Sequence, residues 1–237
     1  MQRYYALLDD MKPFALTAGQ KDQLSRFSAL VLEWNRKLNL TAITDPKAFW
    51  IKHIVDSLTC LPHVFAFGAS SVIDIGSGAG FPGIPLRIAY PEMHLTLAES
   101  VNKKADFCQL AVDTLGLANV TVVAERAEVL GQNPLYREQY DWAIARAVAP
   151  LNVLAEYLLP CVHPGGYMLA QKGGQAGEEI SVAKTAIRFL GGELKDIATV
   201  ELPENFGSRT LITIKKIKPT PAEYPRRPGV PKKNPLS

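Results

Sequence analysis

Four glycines, at 76, 78, 80 and 83, fall within the stretch 74-DIGSGAGFPGIPL-86, directly after the apolar run Ser71-Val72-Ile73. A glycine-rich turn leaving a strand lets the backbone approach a nucleotide closely and adopts left-handed conformations without a steric penalty. The spacing narrows the choice of nucleotide. A dinucleotide loop reads GxGxxG, its third glycine permitting close helix–strand packing; here Gly76-x-Gly78-x-Gly80 is followed by Phe81, and the pattern fails at that position. A phosphate-binding Walker loop needs Lys-Ser/Thr after its glycines, and none follows. Glu99 ends the next apolar run, Leu95-Thr96-Leu97-Ala98, where a carboxylate can accept hydrogen bonds from both hydroxyls of a ribose. GxGxG paired with that carboxylate suits S-adenosylmethionine; the bland alternative for Glu99 is a solvated strand end.

Other residues offer chemistry at longer range. Arg146 ends a later apolar run, and its planar fork of donors suits guanine O6 or a phosphate, while a strand-end ion pair is the structural alternative. His53 and Asp56 lie three apart on an apolar helix, as a satisfied structural pair or as a metal or proton-relay pair. Cys161 follows Pro160 at the end of an apolar helix and reads as a structural cysteine rather than a nucleophile. Asn133-Pro134-Leu135-Tyr136 imitates an amino-methylation turn, but it lacks the second proline and precedes the strand it should follow, so it reads as a loop.

These residues need elements to hold them. Thr17-Ala18-Gly19-Gln20 matches a capping box, and Leu24, Phe27, Val31, Trp34 and Leu38 recur at helical spacing behind it. Asp45-Pro46 opens a second helical stretch. From 70 to 190 strands alternate with helices: strands at 71–75, 95–98, 119–124, 141–145 and 167–171, helices at 84–89, 102–115, 151–159 and 177–190. That order implies a parallel sheet covered on both faces, with ligands at the carboxyl ends of its strands. Residues 193–201 and 210–216 read as an antiparallel pair added at the sheet edge. The expected units are an N-terminal helical region (1–68), an α/β domain (69–217) and a basic proline-rich tail (218–237).

Composition sets the surroundings. The 237 residues are 47% hydrophobic, enough for a substantial core, and no apolar run is long enough to span a membrane. The N-terminus, MQRYYALLDDMKPF, lacks a secretory signal, and Cys60, Cys108 and Cys161 form no metal pattern, so a reduced, cytoplasmic setting is expected. Net charge is +3, but the tail carries five Lys/Arg against one Glu, which leaves the remaining chain at −1. Six prolines in those twenty residues predict an extended, mobile arm without helix or sheet, whose Arg226, Arg227, Lys232 and Lys233 contact phosphates or simply solubilise the chain.

The blocks 34-WNRKLNLTAITDP-46, 53-HIVDSL-58, 74-DIGSGAGFPGIPL-86, 99-ESVNKKADF-107, 125-ERAEVL-130, 145-ARAVAPL-151, 171-QKGG-174 and 225-YPRRPGVPKKNPL-237 run in order over nearly the whole chain. Together they resemble the bacterial 16S ribosomal RNA guanine-N7 methyltransferases, also called glucose-inhibited division protein B. Gln171 departs from the small or apolar residue that family more often carries there. The resemblance implies a class I, Rossmann-like α/β methyltransferase fold with a mainly parallel seven-stranded sheet and an antiparallel edge hairpin. It implies S-adenosylmethionine as donor, leaving as S-adenosylhomocysteine, and 16S rRNA or the small ribosomal subunit as partner, with no metal, no membrane and a monomeric chain. Carried over by position, Gly76, Gly78 and Phe81 contact the donor, Glu99 with Ser100 and Val101 holds the ribose, Ala127 and Glu128 border the adenine, and Arg146 sits by the transferred methyl. Arg126, Lys172 and Arg209 join the tail cations as candidate RNA contacts; Lys103 and Lys104 are further ones.

Guanine N7 carries an exposed lone pair on a neutral nitrogen, so its methylation needs positioning and electrostatics rather than a general base. N7 faces the deep, narrow major groove of A-form RNA, which predicts a guanine in a loop or extruded into the pocket. The competing readings are a small-molecule methyltransferase, a nicotinamide oxidoreductase disfavoured by Phe81, and a non-catalytic RNA-binding assembly factor on the same fold.

Overall fold

A computed structural model describes residues 15–66, 68, 70–146, 148–174 and 176–236. The opening 1–14 and Ala147 of the 145-ARAVAPL-151 block lie outside the described residues.

Helix α1 (Ala18–Leu38) starts as its capping box requires: Gln20 N–H donates to Thr17 Oγ1 at 3.2 Å, and Thr17 N–H donates back to Gln20 Oε1 at 2.9 Å. Its face of Leu24, Phe27 and Val31 is fully buried. The second stretch is not one α-helix. It begins as α2 (Pro46–Phe49), widens into a π-helix over Trp50–Val55 and closes as α3 (Asp56–Leu58). The hydroxyls of Ser57 and Thr59 donate to the carbonyls of His53 and Asp56 at 2.5 and 2.6 Å, satisfying acceptors where the helical ladder changes pitch.

After α4 (Leu61–Ala66) the α/β unit follows: β1 (Ser71–Ile75), α5 (Gly83–Ala89), β2 (His94–Ala98), α6 (Asn102–Leu115), β3 (Val120–Val123), α7 (Ala127–Leu130), β4 (Tyr140–Arg146), α8 (Leu151–Leu158), β5 (Val162–Gly173), α9 (Gly177–Phe189), β6 (Gly192–Glu201) and β7 (Ser208–Lys216). The sheet order is β3-β2-β1-β4-β5-β7-β6. Pairs from β3 to β5 are parallel, while β7 pairs antiparallel with both β5 and β6. The hairpin therefore joins the sheet through its second strand. The order reverses between β1 and β4, and at that switch point the carboxyl ends of the strands open a crevice. One apolar layer joins α1 and the π-helix to the sheet through Phe27, Phe49, Trp50, Phe81, Leu97 and Phe107; the other packs α8 and α9 on the opposite face.

The tail corrects the sequence reading. It is a docked strap, not a mobile arm. Arg137 donates to the carbonyls of Thr220, Pro221 and Tyr224. Arg226 meets the fully buried Glu156 through Nε (2.9 Å), Nη2 (2.6 Å) and its own backbone N–H (2.8 Å). Gly229 N–H donates to Glu128 Oε1 at 2.8 Å. A short helix α10 (Val230–Lys233) forms despite the prolines, because Pro231 occupies the first turn, where no intrahelical N–H is needed. The strap's polar groups find partners on the domain, and that overrides the extended conformation its composition favours.

Candidate active site

The glycine loop gains its shape from backbone conformations open to glycine. Gly76, Gly78 and Gly80 have φ of +73°, +59° and +89°. Gly76 and Ser77 N–H donate back to Ala98 O at 2.8 and 3.2 Å, folding the loop over the end of β2. A Cβ on Gly76 would lie 2.9 Å from Val148 Cγ2, whereas one on Gly78 would meet nothing within 4 Å. Gly78 thus faces open space with bare backbone. The buried Asp74 carboxylate receives Gly83 N–H at 2.9 Å and pins the start of α5; burial raises its pKa to about 7.

Glu99, 6% exposed, accepts Val101 N–H on Oε1 (2.8 Å) and Gly78 N–H on Oε2 (2.9 Å). Its carboxylate is not a solvated strand end. It is fixed in plane by the loop, and each oxygen keeps a lone pair for a further donor. Two cavities meet at Gly76. The smaller, about 200 Å³, is lined by Ser100, Arg126, Ala127, Glu128, Tyr157 and Lys232, among others. The larger, about 560 Å³, takes Gly78, Phe81, Lys104, Arg146, Lys172 and Arg209 into its wall, together with Lys52, His53, Asp56 and Gln171.

In the larger cavity Arg146 is the centre of a polar cluster. Its Nη1 lies 3.3 Å from Asp56 Oδ2, 3.4 Å from Lys52 O and 3.4 Å from Ser57 Oγ; its Nη2 lies 3.2 Å from His53 Nδ1. His53 Nε2 lies 2.8 Å from Thr41 Oγ1, and the ring stacks on Phe81 at 4.8 Å and 19°. Burial, then the charges of Arg146 and Lys52, depress His53 to about 3, so it is a neutral imidazole that accepts from Arg146 and donates to Thr41. Asp56 also accepts Arg209 Nε at 2.8 Å and Gln171 Nε2 at 2.8 Å on Oδ1. Burial pushes the Asp56 carboxyl up, while the two guanidiniums pull it back.

The sequence-derived residues therefore separate into groups. Gly76, Gly78, Ser100, Ala127, Glu128 and Arg146 line the paired cavities, while Glu99 lines neither wall and is held beside them by the N–H groups of Gly78 and Val101. Phe81 lines the larger cavity, but its ring packs among Phe27, Phe49 and His53, with the Arg146 guanidinium 5.0 Å from its centroid. Three proposed RNA cations also have carboxylate partners within the protein: Arg209 on Asp56, Arg226 on Glu156, and Lys172 on Glu179 (2.8 Å), with Lys172 donating to Ala149 O as well (2.7 Å). Arg126, Arg227, Lys232 and Lys233 stay exposed. Cys161 is fully buried, with burial pushing its thiol up to about 12, as a structural cysteine should be. Nothing in the sequence singles out Lys52 or Tyr157; it marks His53 and Asp56 as a pair but not Arg146 as the partner they share, and Gln171 stands out as a polar residue in an otherwise apolar strand. Among the described residues no group of three or more His, Cys, Asp or Glu can hold a metal ion, and no helix is long and apolar enough to cross a membrane.

A seven-stranded sheet with this order, a glycine loop after β1 and a carboxylate after β2 define a class I methyltransferase. A putative O-methyltransferase from Klebsiella pneumoniae shares the fold with a TM-score of 0.60 at 16% identity, covering 92% of this chain and 97% of its own. The sequence places the chain more narrowly. The model of the family described as rRNA small subunit methyltransferase G (GidB) matches residues 20–210. Curated proteins named ribosomal RNA small subunit methyltransferase G are 46% identical in Alkaliphilus metalliredigens (94% of this chain, 93% of the relative) and 49% identical in Roseiflexus castenholzii (93% and 94%). The chain belongs to this family.

Proposed function

We propose that the protein transfers a methyl group from S-adenosylmethionine to N7 of a guanine in the decoding region of small-subunit ribosomal RNA. The residues present fit the donor. The smaller cavity, bordered by Ala127 and Glu128, suits the adenine; Glu99 offers a free lone pair on each oxygen to the ribose; and the bare backbone of Gly76 and Gly78 leads to the larger cavity. When bound, the donor supplies an electrophilic methyl on a sulfonium.

What this chain contributes is position and charge. The larger cavity is lined by Lys52, Lys104, Arg146, Lys172 and Arg209, with Asp56 its one carboxylate among the described residues. Such a wall attracts a nucleotide and its phosphates. The observation that carries the reading is that the cavity's candidate bases are already committed. His53 has both ring nitrogens engaged by Arg146 and Thr41, and Asp56 is held by two arginines. Arg146 cannot take a proton near neutral pH. A guanine N7 needs no proton removed, whereas an amino or hydroxyl acceptor gains from a free base. The cavity, about 560 Å³, also has room for a base turned out of any helix, the form expected because side chains cannot read the major groove of A-form RNA.

The test is methyl transfer from labelled donor to small ribosomal subunits taken from cells lacking the modification, beside a perfect RNA duplex of the same sequence. Label in the subunit RNA and none in the duplex is expected. Label entering neither, or both equally, contradicts the reading.

A further inference from the structure

We propose that Asp56 is a positioning residue of the acceptor cavity, whose buried carboxylate gathers Arg146 and Arg209 into a two-guanidinium fork for the oxygens of the acceptor nucleotide; this rests on the RNA-methyltransferase reading above.

The two arginines come from opposite parts of the chain. Arg146 ends the central strand β4, and Arg209 is the second residue of β7, which enters the sheet beyond β5. The strand register sets Arg146 opposite Gln171 and Arg209 opposite Gly173, on one face of the sheet with β5 between them, and leaves a gap for a third group to bridge. Asp56, 2% exposed on α3, receives both: Oδ2 lies 3.3 Å from Arg146 Nη1, and Oδ1 lies 2.8 Å from Arg209 Nε. The carboxylate is itself locked. Gln171, 1% exposed, donates from Nε2 to Asp56 Oδ1 (2.8 Å) and Asp56 O (2.7 Å). Thr41 and His53 fix the second arm of Arg146 from the other side. The π-helix is the element that presents His53 toward Arg146 one turn before Asp56.

Chemistry favours a working role over a merely structural one. One carboxylate between two guanidiniums leaves a net positive charge in the wall of a cavity rather than closing it. Each guanidinium has five N–H donors. Among the described residues Arg146 Nε makes no hydrogen bond, and neither does Arg209 Nη2. Both residues line the larger cavity. A planar fork held by a buried acid is pre-organised for phosphate or carbonyl oxygen, and little side-chain freedom remains to be lost on binding. The N-terminal helices thus complete the acceptor cavity of the α/β domain.

The experiment uses the full chain, S-adenosylmethionine and small subunits lacking the modification, with wild type, Asp56→Asn, Arg209→Ala and the double variant. Asp56→Asn keeps the shape and loses the charge. The inference expects its kcat to fall at least ~10-fold, because a misplaced reacting group costs up to about 100-fold, while donor Kd measured by calorimetry moves less than about twofold. Because Asp56 acts through its arginines, the double variant should fall short of the product of the single effects by about fivefold or more. Wild-type kcat and KM in Asp56→Asn, or strictly multiplicative losses in the double variant, would overturn it. Should Asp56→Asn fail to fold, Arg209→Ala still decides, since it leaves Asp56 paired with Arg146: KM for the subunit should rise about tenfold at unchanged donor Kd, and an unchanged KM overturns the inference. A wild-type chain that transfers no methyl to RNA, while still binding donor, overturns the functional reading and this inference together.

Discussion

The docked strap and the mobile arm expected from composition make opposite predictions for Arg226→Ala. In the structure Arg226 places two charge-assisted hydrogen bonds on Glu156, whose side chain is 0% exposed, while that of Arg226 is 23% exposed. Removing one partner of a buried pair costs roughly 3–5 kcal/mol. Partial exposure of the arginine and the surviving backbone N–H bond bring that down to about 2–3 kcal/mol. In a chain of this size each kcal/mol moves Tm by roughly 2–4 °C, so a loss of about 5–10 °C follows. The assay is thermal unfolding beside limited proteolysis after the tail lysines and arginines. Arg226→Ala should unfold earlier, and its tail should be clipped faster than that of wild type. Lys232 lines the smaller cavity, so weaker donor binding should accompany the release. A free arm would behave differently: Tm within about 1 °C of wild type and equally rapid clipping in both proteins would refute the docking argument.

Other consequences are independent of the strap. Glu99→Ala should raise donor Kd at least ~10-fold by calorimetry, since it removes a fixed bidentate acceptor and frees the N–H groups of Gly78 and Val101; unchanged affinity would remove Glu99 from the ribose site. Gly83→Ala sets a Cβ 2.6 Å from Leu97 Cδ2 and 2.8 Å from Asp74 Oδ2, and should cost about 1–3 kcal/mol in a denaturant titration. At the amino-terminal ends of β4 and β5, His163 is raised above its ordinary value by its bonds to Asp141 and Pro164 O. A raised histidine stabilises fully below its unfolded pKa of about 6.5 and ceases to do so as pH climbs through the folded value. The Tm gap between wild type and His163→Phe should therefore be widest below about pH 6.5 and shrink as pH rises above it; a gap that widens with pH contradicts the assigned charge.

How far the sequence could be read depends on the range of the forces involved. Periodicity and caps are local, so α1 begins at its predicted capping box and α6 spans Asn102–Leu115 as expected. Strand β5 starts at Val162, ahead of the expected 167–171: Val162 pairs with Tyr140, the chain then bulges through 163–166 with Gly165 at φ +100°, and pairing to β4 and β7 runs on from Tyr167. The contact of the glycine loop with Glu99 was legible because Gly76, Gly78 and Glu99 lie within one strand–loop–helix–strand unit. The cluster around Arg146 was not. Asp56 meets Arg146 and Arg209 across 90 and 153 residues of chain, and nothing in its neighbours announces either partner. The strap failed for the same reason: Glu156 and Arg137, which hold it, stand some 70 to 87 residues before the groups they bind. Its composition described a free chain, while its fate was set by buried charges elsewhere.

The central claim is methyl transfer to a guanine N7, and nucleoside analysis tests it most directly. Small subunits lacking the modification, incubated with the full chain and isotopically labelled S-adenosylmethionine, are digested and their nucleosides resolved by mass spectrometry. The account predicts label in 7-methylguanosine alone, approaching one methyl per subunit and mapping to the decoding region. Label on an amino group, a ribose hydroxyl or a pyrimidine carbon, or none in the RNA while the donor remains bound, would contradict it.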